Sequence, residues 1–238
     1  MSFKLESEMI PFLEQNIEKI LKHKSNEQLV VSKELPVNYR MIDFAIAVID
    51  YDKRLKEGHY KTALKRISME ELDVLSNFYS HKKQKGKVTI QYLKKRLRMS
   101  PQVIKEIYLD KFIKLGLIEK ISPYSYAPTG WGDFEVKSVV AIEAKLSKWH
   151  EALLQAKDNL TFADYSYVAL DADTRITEEI KEEFFIANIG IIAVNGNGSI
   201  NIIQKPKKNK IFNESDYKLQ RIRLCRDLLC ENSKWYIM

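Results

Sequence analysis

Cysteine, histidine and glycine are scarce in this sequence, and each scarcity excludes a class of site. The chain has two cysteines, four histidines and eight glycines. Cys225 and Cys230 lie five residues apart, and no further cysteine or nearby histidine completes a zinc site, so we expect thiols in a reducing cytosol. The histidines have no spacing typical of a metal site or a catalytic triad. The glycine-rich stretch VNGNGSI, at 194–200, is predicted to turn a hairpin, which argues against a phosphate-binding loop.

Long uncharged apolar runs are also missing. None is long enough to cross a bilayer, and residues 1–24 carry apolar side chains at helical spacing rather than the pattern of a signal peptide. We therefore expect a cytoplasmic protein with no membrane partner. Hydrophobic residues still make up 45% of the 238 residues and aromatic residues 11%, which is enough for a packed core in one large domain or two smaller ones.

Acidic residues are outnumbered only in the middle of the chain. The formal net charge is +7. Residues 53–133 hold 18 Lys and Arg against 8 Asp and Glu, whereas the remainder holds 21 against 24. A concentrated basic segment favours a polyanionic partner, because neutralising phosphates releases counterions; the alternative is a solvated lysine-rich surface. A second basic stretch, KPKKNK at 205–210, is predicted to be a solvated loop that is able to touch a nucleic-acid backbone.

The middle segment has the pattern of a separate module. Two helices are predicted within 69–79 and 87–99, the second of them capped by Thr89. Ser100 is predicted to cap a third helix, which ends at Gly116, and a hairpin follows that turns at Pro123–Ser125. The apolar side chains predicted to face inward are Leu72, Leu75, Phe78, Tyr92, Leu93, Leu97, Val103, Ile104, Ile107, Tyr108, Phe112 and Leu115.

Three helices followed by a hairpin resemble the winged helix-turn-helix family, over residues 69–128. By that resemblance the third helix would enter the DNA major groove and the hairpin would touch the backbone. The alternative is a winged helix that binds a protein. The basic side chains favour DNA, and those at 82–87 (Lys82, Lys83, Lys85 and Lys87) add to the positive surface. The predicted DNA contacts are Lys94, Lys95, Arg96, Arg98, Gln102 and Lys105, with Glu106 beside them.

The flanking segments predict one α/β domain built around a mixed sheet. The predicted domains are a core made of residues 1–52 and 134–238, and a mainly α module inserted at 53–133. Such an insertion is tolerated because the free-energy cost of closing a loop rises slowly with its length. Strands are expected at 27–37, 39–49, 137–146 and 164–172, a hairpin at 190–206, and helices at 4–24, 147–160, 177–188 and 214–231.

Charged side chains interrupt two of the predicted strands. Asp43 stands alone among apolar residues in MIDFAIAV, and Glu143 and Lys145 lie two apart in VVAIEAKL, so both point to one face. An isolated carboxylate is costly to bury unless it binds something positive. Two carboxylates with a neighbouring lysine predict a site for Mg²⁺ or Mn²⁺, which prefer oxygen ligands. The alternative is an ordinary Glu–Lys pair on a solvated strand face.

At these residues the chain resembles the PD-(D/E)xK nuclease superfamily, which has the restriction-endonuclease-like fold. Glu143-Ala144-Lys145 matches its E-x-K motif, and Asp43 stands where its metal-binding aspartate falls. The resemblance implies a metal held by Asp43, Glu143 and the Ala144 carbonyl, and a Lys145 that orients or helps to deprotonate the attacking water. The further residues predicted from it are Gln155 as a catalytic residue (with Asn159 where some members have tyrosine), Glu34 as an extra metal ligand and, as a weaker candidate, Glu14.

These patterns together predict a metal-dependent DNA nuclease, an endonuclease in our interpretation, that docks its substrate with the inserted winged helix. Metal coordination lowers the pKa of bound water toward neutrality, which is the chemistry that phosphodiester hydrolysis needs. Two alternatives remain: a DNA-binding regulator or assembly factor that keeps the fold without cleaving, and a protein-interaction module. Dimerisation, the target DNA and the biological pathway are left open by the sequence.

Overall fold

The structure is a computed structural model that describes residues 3–22, 28–37, 40–50, 59–78, 87–129, 135–210, 219 and 234–236. The chain divides into two compact units. One comprises Met1–Val48, Lys137–Tyr217 and Ser233–Met238, and the other comprises Ile49–Val136 and Lys218–Asn232. Apart from Leu219, the predicted helix at 214–231, with Cys225 and Cys230, lies outside the described residues, as do Lys82, Lys83 and Lys85.

The first unit contains a seven-stranded mixed sheet, which confirms the α/β class. Its strand order is β10-β1-β2-β6-β7-β8-β9; β6, β7 and β8 are parallel, whereas β9 is antiparallel to β8 and β10 to β1. The strands are β1 (Gln28–Val37), β2 (Arg40–Asp50), β6 (Glu135–Lys145), β7 (Tyr165–Asp171), β8 (Gly190–Val194), β9 (Ile200–Gln204) and β10 (Lys234–Tyr236). The helices are a 3₁₀ helix (Glu6–Met9), α1 (Ile10–Gln15), α2 (Ile17–Ile20), α8 (Trp149–Asn159) and α9 (Glu178–Ile186).

Apolar side chains cover both faces of this sheet. On one face Met9, Leu13 and other N-terminal helical residues pack with alternate strand residues such as Phe44 and Ile142. On the other face α8 and α9 pack against residues of β7 and β8 such as Val168. Because side chains alternate along a strand, Glu143, which is in register with Val168, is placed on the α8 face. The alternation predicted for β6 therefore directs Glu143 toward α8, where Asn159 donates a hydrogen bond to it.

The second unit combines short helices with a three-stranded antiparallel sheet of order β3-β5-β4. Thr89 and Ser100 cap helices as predicted, accepting hydrogen bonds from the backbone N–H groups of Tyr92 (3.2 Å) and Val103 (3.3 Å). Gly116, with φ of 68°, follows the last helix in the conformation that favours glycine. The elements are α3 (His59–Lys65), α4 (Met69–Ser76), β3 (Val88–Thr89), α5 (Ile90–Leu97), α6 (Pro101–Ile104), a π-helical turn (Lys105–Leu109), α7 (Asp110–Lys114), β4 (Ile118–Ser122) and β5 (Ser125–Pro128).

The prediction of one continuous helix at 4–24 is wrong, because this segment is divided in the structure. It begins as a 3₁₀ helix at Glu6, and α1 and α2 are separated at Asn16, whose φ and ψ are −116° and 23°. The Asn16 side-chain amide donates to the Phe12 carbonyl (2.8 Å) and to the Gly198 carbonyl (3.1 Å). Asparagine competes in this way with the backbone of a helix, so the break has a local chemical cause.

Three side chains predicted to face inward in the second unit are exposed instead. Tyr92, Val103 and Ile107 are 48%, 37% and 52% exposed. In α5 the buried residues are Ile90 and Leu93, which places Tyr92 off the inward stripe. The π-helical turn widens the third helix by one residue, so its buried stripe passes through Tyr108 and Leu109 rather than Ile107. A helical period of 3.6 residues, which the prediction assumed, does not describe this helix.

Gly190→Ala is expected to lower the free energy of unfolding by about 1–3 kcal/mol, because an added methyl group would overpack the core. An ideal Cβ at Gly190 would lie 2.7 Å from Pro206 Cδ and would also overlap the Tyr167 ring. That ring is buried, and burial raises the pKa of Tyr167 to about 12. Urea denaturation of wild type and variant measures the difference. An unchanged denaturation midpoint would show that the ring and Pro206 move aside freely.

Candidate active site

Asp43 lies on β2, beside β6 in the sheet. Its Oδ2 atom accepts a hydrogen bond from the Ala144 backbone N–H at 2.8 Å, although the two residues are 101 positions apart. The side chain is half-buried. The sheet therefore brings the predicted aspartate directly against the E-x-K segment, as the resemblance requires.

Glu143 is the most buried member of the group, with 2% of its surface exposed. Its Oε1 atom accepts a hydrogen bond from Asn159 Nδ2 at 2.8 Å. Asn159 is itself 0% exposed and is the last residue of α8. A buried carboxylate needs such donors, because an ionised oxygen that loses water must be solvated by protein groups. Asn159 thus orients Glu143 from the helix.

Lys145 forms an ion pair that the sequence did not indicate. Its Nζ atom lies 2.9 Å from Glu6 Oε2, and its side chain is 13% exposed. Glu6 belongs to the 3₁₀ helix at the N-terminus, 139 residues earlier in the chain. Sequence reasoning missed Glu6 because nothing local distinguishes it from Glu8 in the same helix. It contributes a third carboxylate to the group.

The electrostatics of the group are dominated by burial and by an excess of carboxylates. Burial raises the pKa of Asp43, and the charges of Glu6 and Glu34 raise it further, against the opposing effects of the Ala144 N–H and Lys145. Burial alone would lower the pKa of Lys145, but the hydrogen bond that Lys145 donates to Glu6 and the charges of Asp43 and Glu143 raise it above its usual value. Lys145 is therefore held as a cation among carboxylates that repel one another.

The remaining predicted ligands occupy different surroundings. Glu34 is exposed on β1 with φ of 53°, a left-handed conformation that is strained for a residue other than glycine. Its charge still reaches Asp43. Glu14, the weaker candidate, forms an ion pair in which its Oε2 atom lies 2.6 Å from Lys33 Nζ. Gln155 is half-buried on α8, one turn before Asn159 and on the same side of the helix.

The donor set fits a hard divalent cation. Within the described ranges, no three or more Asp, Glu, His or Cys side chains form a cluster ready to hold a metal. Mg²⁺ does not need one, since it binds through one or two carboxylates and keeps several waters. Asp43, Glu143 and the Ala144 carbonyl could supply the protein ligands. A cation there would also lower the pKa of Asp43, which burial and, to a smaller extent, the neighbouring carboxylates raise.

The residues predicted to contact DNA lie in the second unit and are all exposed. Lys94, Lys95 and Arg96 occupy the last turn of α5, and Arg98 follows it in a left-handed conformation, with φ of 54°. Gln102 and Lys105 line a cavity of about 720 Å³, together with Tyr124 at the hairpin turn. The Gln102 amide donates to Glu106 Oε1 at 3.0 Å, so these two side chains are paired with each other.

No family model, no curated protein and no solved structure matches the chain. In the part of the chain that the structure covers, no helix is long and apolar enough to span a membrane.

Proposed function

We propose that the protein is a metal-dependent DNA nuclease that hydrolyses phosphodiesters and docks DNA through a winged helix in its second unit. The observation that carries the proposal is the meeting of Asp43, Glu143 and Lys145 at one place on the sheet. Asp43 contacts the backbone of the E-x-K segment at 2.8 Å, and its charge interacts with that of Lys145. A carboxyl group whose pKa is perturbed by burial and by neighbouring charges, as that of Asp43 is, is typical of functional sites.

In this proposal Asp43 and Glu143, with the Ala144 carbonyl, hold Mg²⁺ or Mn²⁺. When bound, the ion supplies a Lewis acid that stabilises charge on the attacked phosphate and lowers the pKa of water. Lys145 places its ammonium group beside that phosphate, where a fixed positive charge stabilises the transition state, and orients the attacking water. Glu6 keeps Lys145 in position and charged, and Asn159 keeps Glu143 in position. Gln155 would contact the substrate from the same side of α8.

The element order of the second unit supports the winged-helix part of the proposal. Helix α4, strand β3, helix α5 and the α6–α7 helix are followed by the β4–β5 hairpin, and β5 lies between β3 and β4. Residues 87–129 hold nine Lys and Arg against three Asp and Glu. A strongly basic face on such a module is typical of contact with nucleic-acid phosphates.

The test is cleavage of supercoiled plasmid in the presence of Mg²⁺ or Mn²⁺. Nicked or linear products are expected with either ion and are expected to disappear with EDTA. Asp43→Ala should abolish cleavage, whereas Asp173→Ala, at an acidic residue in the turn after β7, should leave it intact. Branched and single-stranded DNA are tested in parallel, because a structure-specific enzyme could ignore a plasmid. Metal-independent cleavage, or equal loss in both variants, would contradict the proposed site.

A DNA-binding regulator that does not cleave is the second candidate function. One observation favours it: Lys145 already contacts Glu6 at 2.9 Å and is thus engaged by the protein itself. DNA binding that survives in EDTA and weakens steeply with salt, without cleavage of any tested DNA, would favour this candidate. For about six phosphate contacts the affinity should fall about a thousandfold between roughly 50 and 200 mM salt.

Asp43→Asn is expected to stabilise the metal-free protein at neutral pH. The pKa of Asp43 is raised by burial, so the folded state favours the protonated side chain and stability falls as pH rises from 3.8 through the raised pKa. Asparagine removes that penalty and can still accept from the Ala144 N–H. The advantage of the variant in free energy of unfolding should therefore vanish as pH falls below 3.8.

The same variant tests the metal without measuring cleavage. Mg²⁺ at ten times its Kd is expected to stabilise the wild type by about 1.4 kcal/mol, because it binds the folded state alone. Asp43→Asn should show no such gain in thermal denaturation. Equal stabilisation of both proteins by Mg²⁺ would remove Asp43 from the ligand set.

A further inference from the structure

The segment after β9, residues 205–210, is fixed in place although it has no regular secondary structure. Asn188 and Lys207 are joined by two hydrogen bonds: the Lys207 N–H donates to Asn188 Oδ1 (2.8 Å) and Asn188 Nδ2 donates to the Lys207 carbonyl (3.0 Å). Asn209 donates from its side chain to the Leu160 carbonyl at 2.6 Å and from its backbone to the Asp164 carbonyl at 2.8 Å. We call residues 205–210 the lysine loop.

Four lysines project from the lysine loop into solvent. All are exposed, and all line one cavity of about 410 Å³ whose lining contains no acidic side chain. Of these four lysines, only Lys208 has an acidic partner among the described residues, Asp164 Oδ1 at 3.8 Å. Four lysines within six residues of a hydrogen-bonded backbone segment create a local positive potential that attracts an anionic ligand. The four residues are Lys205, Lys207, Lys208 and Lys210.

An apolar ridge borders the same cavity. Phe185 and Ile186, at the end of α9, are 64% and 77% exposed and belong to its lining. The Lys207 ammonium group lies 5.8 Å from the centre of the Phe185 ring. A large apolar side chain that is exposed within a cationic site favours a ligand that is both anionic and flat or apolar.

We propose that the lysine loop and Phe185 bind a single strand of DNA. Backbone phosphates would lie along the lysines, and an unpaired base would stack on the Phe185 ring, which is the combination that proteins use for single strands. A duplex hides its base faces and would leave the ring unused. An anionic membrane would also satisfy the charge, but two apolar side chains give little to insert. The choice of DNA as the ligand rests on the proposed function. The substrates that we infer for that nuclease are DNA molecules with a single-stranded segment.

Binding is measured by fluorescence anisotropy in EDTA, which prevents cleavage, with a labelled single strand of about 16 nucleotides and a blunt duplex of the same length. Replacing the four lysines by alanine should weaken binding of the single strand and change binding of the duplex little, because the winged helix of the second unit is the proposed duplex-binding module. The same replacement should lower the slope of log affinity against log salt by about 3, since each phosphate contact contributes about 0.7. The matched control replaces Lys4, Lys22, Lys148 and Lys157, which are exposed on the same unit.

Phe185→Ala should weaken single-strand binding roughly 5- to 150-fold, with little effect on the duplex. Leu154→Ala is its control, since Leu154 is 63% exposed on α8. Thermal denaturation of each variant should match the wild type and so exclude misfolding.

Three results would overturn the inference: equal loss in the control variants, equal loss of single-strand and duplex affinity when the four lysines are replaced, or loop-dependent binding of phosphatidylserine vesicles without binding of DNA. Absence of metal-dependent cleavage would count against the proposed function alone, because these measurements are made without metal.

Discussion

Lys145→Ala is expected to lower the metal-dependent cleavage rate about 10²- to 10³-fold, the usual effect of removing one preorganised charge from a transition state. The Lys145 side chain is 13% exposed, so water replaces the lost ammonium group poorly. Affinity for DNA should stay near the wild-type value, because the basic residues of the second unit are unchanged. The measurement is a single-turnover rate on a DNA that the wild type cleaves, with binding determined separately.

Lys148→Ala is the matched control. Lys148 lies three residues further along, pairs with Glu151 at 3.3 Å and has a side chain that is 69% exposed. Its removal should change the cleavage rate less than twofold, since surface ion pairs contribute about 0–1 kcal/mol. A Lys145→Ala enzyme that retained the wild-type rate would exclude Lys145 from the chemistry and leave Glu6–Lys145 as a structural ion pair.

Asn159→Leu is expected to lower the free energy of unfolding by about 1.5–3 kcal/mol, although leucine is apolar and of similar size. The Asn159 amide donates to Glu143 Oε1 at 2.8 Å, and both residues are buried. Leucine removes this donor, and a buried carboxylate that loses a donor keeps its desolvation penalty. Urea denaturation in the absence of metal measures the effect.

A double-mutant cycle with Glu143→Gln provides the control. In the Glu143→Gln background the side chain at position 143 is neutral. The free energy of unfolding that is lost on replacing Asn159 should therefore be smaller by about 1 kcal/mol or more. If Asn159→Leu costs the same in both backgrounds, the loss arises from packing at the end of α8 and not from the carboxylate. Any recovery of Asn159→Leu stability with Mg²⁺ would in turn support a metal bound to Glu143.

The sheet and its charged strand residues could be predicted because their causes are local. Apolar runs broken by turn residues gave β1, β2, β6 and β7 within two residues of their observed ends. The alternation of side chains placed Glu143 and Lys145 together on one face. The caps at Thr89 and Ser100 follow from a single hydroxyl bonding a nearby N–H, so three residues of sequence are enough to predict them.

Other features depend on contacts that the sequence does not reveal. Glu6 reaches Lys145 across 139 residues, and one acidic residue in an N-terminal helix has no local mark of that role. The exposure of Ile107 follows from a π-helical turn, whose extra residue is set by packing rather than by apolar spacing. Glu34 lies on a strand with φ of 53°, a conformation that only the surrounding fold can impose.

The hydrogen bond between Asp43 and Ala144 also sets an order of events during synthesis. Chains emerge from the ribosome N-terminus first, and contacts between distant segments form late in folding. Because 101 residues separate these partners, the first carboxylate is made long before the second and before the lysine. A nascent or prematurely ended chain that carries Asp43 but not β6 therefore has no assembled centre. The nuclease that we propose would therefore be able to cut DNA only once the full sheet has formed.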